Sequence, residues 1–331
     1  MNEALVLAGL MMAALVAYGV LAGADFGGGV WDLFATGPRR EAQRDAIARA
    51  IAPVWEANHV WLILVIVVLF TAFPVAYSAL SVGLFVPFHL VLVGITLRGA
   101  AFVFRAYGPH TRETRIRWGA VFGAASTITP ILLGMTLGAV SSGGVRIAAD
   151  ETVRTVGTPW LTPLSIVLGA FAITICAYLA AVFLTLETEG ELREDFRRRA
   201  LVTGTVLVAL SVTAIPLLAR EAPHLWSGLL APRALPAVVL GVLSALVSGL
   251  ALRARSFRVA RIASIGQTGF LIAGWALAEF PYLVFPDLTL ARAAAPTATL
   301  RFVIYTVPFG AALLAPSLWF LFRVFKMEKR G

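Results

Sequence analysis

Residues 51–74, IAPVWEANHVWLILVIVVLFTAFP, decide how the rest of the chain is read. Leu62 to Phe70 are all apolar, while Glu56, Asn58 and His59 sit together between Trp55 and Trp61. The stretch reads as a membrane-crossing helix with a polar cluster in its first third. An ionisable group within an apolar span is costly and marks a functional site by default. The competing reading puts Glu56 and His59 in the wet headgroup zone, flanked by interfacial tryptophans.

Apolar runs of similar length recur along all 331 residues, of which 59% are hydrophobic and 14% charged. About 20 such residues cross a bilayer as a helix. A formal charge of +9 would suit a nucleic-acid partner in a polar chain. Here the apolar content excludes that reading, and the charge belongs to loops facing a membrane surface. The single cysteine, Cys176, lies in an apolar run and reads as a small buried hydrophobe. The opening MNEALVLAGLMM is acidic where a signal peptide is basic, so the first span is expected to remain in place.

Nine spans are predicted, at roughly 4–24, 51–74, 79–104, 118–140, 160–185, 200–219, 234–252, 262–284 and 302–322. The basic residues support this count. Of the 27 Lys and Arg, 20 fall in loops on one side, including Arg39, Arg105, Arg197 and Arg255, and in the C-terminal segment. Six fall in the alternate loops: Arg146, Arg154, Arg220, Arg233, Arg292 and Arg301. The last, Arg98, is inside a span. The positive-inside rule then puts the N-terminus outside and the C-terminus in the cytoplasm. The expected fold is an all-α polytopic membrane protein, one integral domain over 1–331. Residues 1–142 and 160–284 would form two four-helix bundles, and 302–322 a peripheral ninth helix.

The first span runs into GADFGGGVWDLF, where Gly27 to Gly29 lower helix stability by about 1 kcal/mol each against Ala. They permit a tight turn or the close approach of another backbone. Asp25, just before them at the cytoplasmic edge, is either a turn carboxylate or a functional one. Residues 38–50 read as a surface helix with Ile47 on its buried face, and Pro53 as a kink. GAVFG and GMTLG in the fourth span are small-residue motifs for close helix packing. LETEGELREDFRRR reads as a solvated mixed-charge turn, and Glu279 as a loop or cap carboxylate beside Pro281. Pro308 and Pro316 suggest a bent ninth helix.

Spans two and three should form an antiparallel hairpin turning near Tyr77. Glu56 is seven residues from Arg49, and Arg98 seven from Arg105, so both lie roughly 10 Å above the basic boundary. Equal depth makes a Glu56–Arg98 pair the natural expectation, since charges in membranes pair. His59, three residues on from Glu56, can share its face. Such a cluster either carries protons or locks the hairpin as a static pair. Haem ligation by His59 and His89 fits poorly, because the two lie about 15 Å and about 24 Å above the same boundary. A secondary transporter is the alternative function, but no matching pair of broken helices marks two related halves.

GADFGGGVWDL, IAPVWEANHVWLI, LFTAFPVAYSAL and LRGAAFVFR together resemble subunit II of the bd-type quinol oxidases. The match is close over the first third; later it rests on the span count and FPYLVFP. The GGGVWDL form and short loops look like the cyanide-insensitive branch. The resemblance implies a two-subunit core with nine helices in each. Subunit I would carry haems b558, b595 and d and the quinol site. This chain would ligate no haem or metal and catalyse nothing alone. It would help the complex reduce oxygen to water in a bacterial inner membrane. Some members hold a structural quinone, and some complexes add a small single-span subunit. The resemblance also implies a proton path from the cytoplasm through the acid of the PxWxxNxVWL motif, here Glu56, with Asp25, Asn58 and His59 as further candidates. A second family acid falls at Val103, which cannot relay a proton.

Overall fold

The computed structural model describes residues 2–51, 55–108, 111–148, 150 and 152–327. The chain is built from α1 (Asn2–Leu33), α2 (Arg40–Ile51), α3 (Trp55–Ala72), α4 (Pro74–Gly83), α5 (Phe85–Tyr107) and α6 (Arg112–Ser141), then a hairpin of β1 (Val145–Ile147) and β2 (Val153–Thr155). It continues with α7 (Pro163–Glu187), α8 (Gly190–Glu221), α9 (Pro223–Leu230), α10 (Leu235–Arg253) and α11 (Phe257–Glu279). A second hairpin of β3 (Tyr282–Val284) and β4 (Leu288–Thr289), the short α12 (Leu290–Ala293) and α13 (Thr297–Met327) complete it.

Among the described residues, seven helices are long and apolar enough to cross a membrane: α1, α5, α6, α7, α8, α10 and α13. α3 reaches that measure together with α4, to which it is bent by 117°. α11 is long enough, but Gln267, Thr268 and Glu279 make it less apolar. The protein is therefore a multi-pass helical membrane protein.

α1 is the central packing element, lying against α3, α6, α7 and α11. The glycines explain how. A Cβ at Gly27 would collide with the Cys176 carbonyl, and one at Gly29 with Ser126 Oγ. The run is therefore neither a turn nor a helix end. α1 continues through it to Leu33, and the absent side chains admit α7 on one face and α6 on another. Tertiary burial overrides the poor helix propensity of glycine here. The same device joins α6 to α7: a Cβ at Gly134 would collide with the Leu168 carbonyl and Ala172, and one at Gly138 with Ser165. The expected small-residue packing is thus realised between these two helices.

Three expectations are corrected. No simple turn joins the second and third spans. Pro74 starts the ten-residue α4, which includes Tyr77 and packs on both hairpins with Phe73 fully buried at its head. A proline at the first helical position suits such a start, where its missing N–H costs nothing. The mixed-charge stretch after Glu187 is no solvated turn; it forms the first turns of α8. Phe196 is fully buried there, and Asp195 accepts hydrogen bonds from Arg39 at 2.6 and 2.7 Å. Finally, the eighth span ends as a helix at Glu279, and FPYLVFP leaves it as a strand segment.

α2 lies where residues 38–50 predict, with Ile47 buried beside Phe122 and Phe196. Pro53 lies outside the described residues. Both hairpins and α4 occupy one end of the bundle, tied by Arg146 to Asp287 at 2.7 and 3.1 Å. That hydrogen-bonded guanidinium holds the Asp287 carboxyl below the usual carboxylate range. α13 is continuous through Pro308 and Pro316 and packs on α1 and α3; Phe309 and Leu313 are exposed.

Candidate functional site: a buried charge ladder

Two acid–base rungs connect α1 to α5. Arg98 Nη2 donates to Asp25 Oδ1 at 2.6 Å, with both side chains almost wholly buried (1% and 2% exposed). Arg105 donates to both oxygens of Asp32, at 2.7 and 3.1 Å. Asp25 and Asp32 are seven residues apart, as are Arg98 and Arg105. Two turns of helix separate the rungs on each side, about 10 Å along the axis. The rungs can only match if α1 and α5 run in the same direction.

The upper rung is over-determined. Arg98 Nε donates to Ser126 Oγ at 3.1 Å, and Gly29 leaves the room that Ser126 needs. Its guanidinium lies 5.0 Å from the ring centres of both Phe26 and Phe122. A planar cation held by a carboxylate, a hydroxyl and two aromatic faces is an arrangement arginine makes and lysine cannot.

The rung also leaves polar capacity unused. Asp25 Oδ2, His59 Nδ1 and Tyr18 Oη are buried atoms without a hydrogen-bond partner among the described residues. The His59 ring sits 6.0 Å from those of Tyr18 and Phe26. The charges of Asp25 and Arg98 reach both His59 and Tyr18. Asn58 donates to the Leu21 carbonyl at 3.4 Å, which fixes the start of α3 against α1. Buried polar groups of this kind are normally met by ordered water.

Asp25, His59, Asn58 and Arg98 are thus brought together. Asp25 is a buried ion-pair partner within a helix, and neither a turn carboxylate nor an edge residue. Glu56 lies in the first turn of α3, and its side chain is outside the described residues. The described partners of Arg98 are Asp25 and Ser126. Val103, the position expected to interrupt a relay, is exposed on α5. His89 lies elsewhere, exposed on α5, its ring tilted by 35° against that of Phe85 with centroids 3.9 Å apart and Nδ1 2.7 Å from the Phe85 carbonyl. Sequence reasoning missed Tyr18, Ser126 and the Asp32–Arg105 rung. The matching seven-residue spacings were the available signal for the last.

A multi-pass helical protein whose first helix is charge-locked to a later one is the class that the fold and site define. Residues 3–325 match the family model for cytochrome bd terminal oxidase subunit II, and the chain belongs to that family. It is 24% identical to the "Putative cytochrome bd menaquinol oxidase subunit II" of Bacillus subtilis (strain 168), across 99% of this chain and 97% of that one. It is 31% identical to the cytochrome bd-I ubiquinol oxidase subunit 2 of Escherichia coli (strain K12), across 61% of this chain and 52% of that one. The fold is similar to a chain of the bd oxidase from Geobacillus thermodenitrificans, with a TM-score of 0.83 over 98% of this chain and 24% identity.

Proposed function

We propose that this chain is the haem-free second subunit of a quinol:oxygen oxidoreductase in a bacterial inner membrane. It supports a haem-bearing subunit I and supplies a proton-uptake path from the cytoplasm. The observation that carries the path is the buried Asp25–Arg98 pair, whose free Oδ2 accompanies His59 Nδ1 and Tyr18 Oη. Arg98 neutralises the charge of Asp25 without using both oxygens. A water held among these atoms could pass a proton between Glu56, one turn before His59, and Asp25. Haems b558, b595 and d in subunit I would supply the electron transfer and oxygen chemistry. This chain's share is to hold protons and exclude bulk water.

The reading includes nine crossings, with α3 and α11 added to the seven apolar helices, and the N-terminus outside. Eighteen residues of α3 span about 27 Å, close to a hydrocarbon core. Residues 1–142 and 160–284 would be the two four-helix bundles, with α13 peripheral. The partner subunit, lipid, a structural quinone and a small single-span subunit would share the exposed apolar surface. Cysteines introduced near 195 and near 150 should react with impermeant reagents from the cytoplasmic and the outer side respectively; labelling of both from the same side would refute this topology.

Purification of the tagged chain should bring down a haem-bearing partner with the optical spectrum of three haems. His59→Ala and His89→Ala should leave that spectrum unchanged per assembled complex. Recovery of both subunits at normal levels with one haem missing would overturn the haem-free assignment.

A further inference from the structure

We propose that Glu279 is a proton-binding site: a carboxylic acid that is neutral when loaded, buried at the hairpin end of the bundle, and exchanges its proton through an adjacent cleft. This site is separate from the Asp25 ladder and concerns the opposite end of the protein. Glu279 ends α11 with only 6% of its surface exposed. One of its oxygens, Oε1, has no hydrogen-bond partner. Ser141 and Trp275 are the polar side chains beside the carboxyl group. The Trp275 indole donates to Ser141 Oγ at 2.9 Å, which leaves the Ser141 hydroxyl hydrogen free to face Glu279.

No cation within salt-bridge distance balances Glu279 among the described residues. Arg233, at the foot of α10, donates to the Ala278 carbonyl and lies over the Phe280 ring. His224 of α9 is stacked on Phe285 at 4.2 Å. Glu221, at the end of α8, accepts from the Leu164 amide. On α1, Glu3 pairs with Arg301, and Asp25 pairs with Arg98 far along the helix. On α7, the Tyr178 hydroxyl pairs with Ser248, and Cys176 faces α1. An ionised carboxylate left without a counter-charge at such burial is strongly disfavoured, and taking up a proton removes that cost. The protonated group can donate where the ionised one only accepts.

The route out is short. Ser142, Gly143 and Gly144 directly follow Ser141. They line a surface cleft together with Thr162, Pro163 and Glu221. Ser141 is thus next in the chain to residues that line a surface groove, and that groove carries a second carboxylate, Glu221.

Infrared difference spectra of the assembled complex, taken between acid and alkaline pH, test this directly. Wild type should show the carbonyl stretch of a protonated carboxylic acid that disappears as pH rises and is absent from Glu279→Gln. Ser141→Ala should move that band to higher frequency, because a hydrogen bond to the acid is lost. A spectrum in which Glu279→Gln removes no such band, or removes one indifferent to pH, would overturn the proposal. Should Glu279→Gln fail to assemble, a hydrophobic carbodiimide applied to wild type decides. The acid O–H adds across one N=C bond, oxygen to carbon and hydrogen to nitrogen, with nothing leaving. An adduct at Glu279 that declines with rising pH supports the site, and no adduct there refutes it.

Discussion

Arg98→Ala is expected to destabilise the protein by about 3–5 kcal/mol and to deplete the chain from membranes. That is the range for removing one partner of a buried pair and leaving the other charge uncompensated. The guanidinium satisfies Asp25 and Ser126 and fills the space between Phe26 and Phe122. Truncation therefore removes a charge, three hydrogen bonds and packing volume together. Arg98→Lys should recover only part of the loss, since an ammonium cannot reach Asp25 and Ser126 while lying flat between two rings. The paired change Asp25→Leu with Arg98→Met should be less damaging than Arg98→Ala, because hydrophobic replacement of an entire buried pair is often neutral. Thermal unfolding in detergent and the level of membrane-inserted chain are the readouts. An Arg98→Ala protein that melts with wild type would mean that the pair contributes nothing to stability.

The fold was legible where the signal was length and apolarity. Each of the nine predicted stretches overlaps a helix, and the surface helix over 38–50 is present as α2. α4 was hidden because the apolar run passes smoothly from Leu69 to Val82; only Pro74 marks the 117° bend. The glycine run left a tight turn and a close backbone approach open, and only the second is realised. Propensity is a local property, whereas Gly27 and Gly29 answer to Cys176 and Ser126, about 150 and about 100 residues away. The charge pairs show the same limit. A depth ladder counted from basic residues correctly assigns Arg98 to a buried level, but depth alone does not identify its neighbour. Asp25 shares that level on a helix running parallel to α5, and the equal spacing of Asp25–Asp32 and Arg98–Arg105 carries that information. Glu279 was read by its place beside two prolines, which says nothing about its burial at the end of α11.

Glu56→Gln should assemble with full haem content and consume oxygen slowly, with a loss of about a hundredfold, the low end of what a positioned proton-transfer group contributes. The reasoning starts from α3. Asn58 anchors its start to the Leu21 carbonyl, and His59 packs between Tyr18 and Phe26. Glu56 is at i−3 from His59, a spacing that allows two helical side chains to share a face, and the proposed path runs from it to Asp25. Glutamine preserves the shape and the hydrogen-bonding capacity, so packing is retained while proton exchange is lost. Arg98 is already neutralised by Asp25. Removing the charge of Glu56 should then leave the ladder intact, which separates this variant from Arg98→Ala: one turns over slowly but is stable, the other is lost from the membrane. Val103 cannot substitute as a relay. A static role for Glu56 predicts the opposite pattern, either failed assembly or wild-type turnover. Oxygen consumption and charge separation across proteoliposomes are the measurements, and normal values for both in a fully assembled Glu56→Gln complex would remove Glu56 from the proton path.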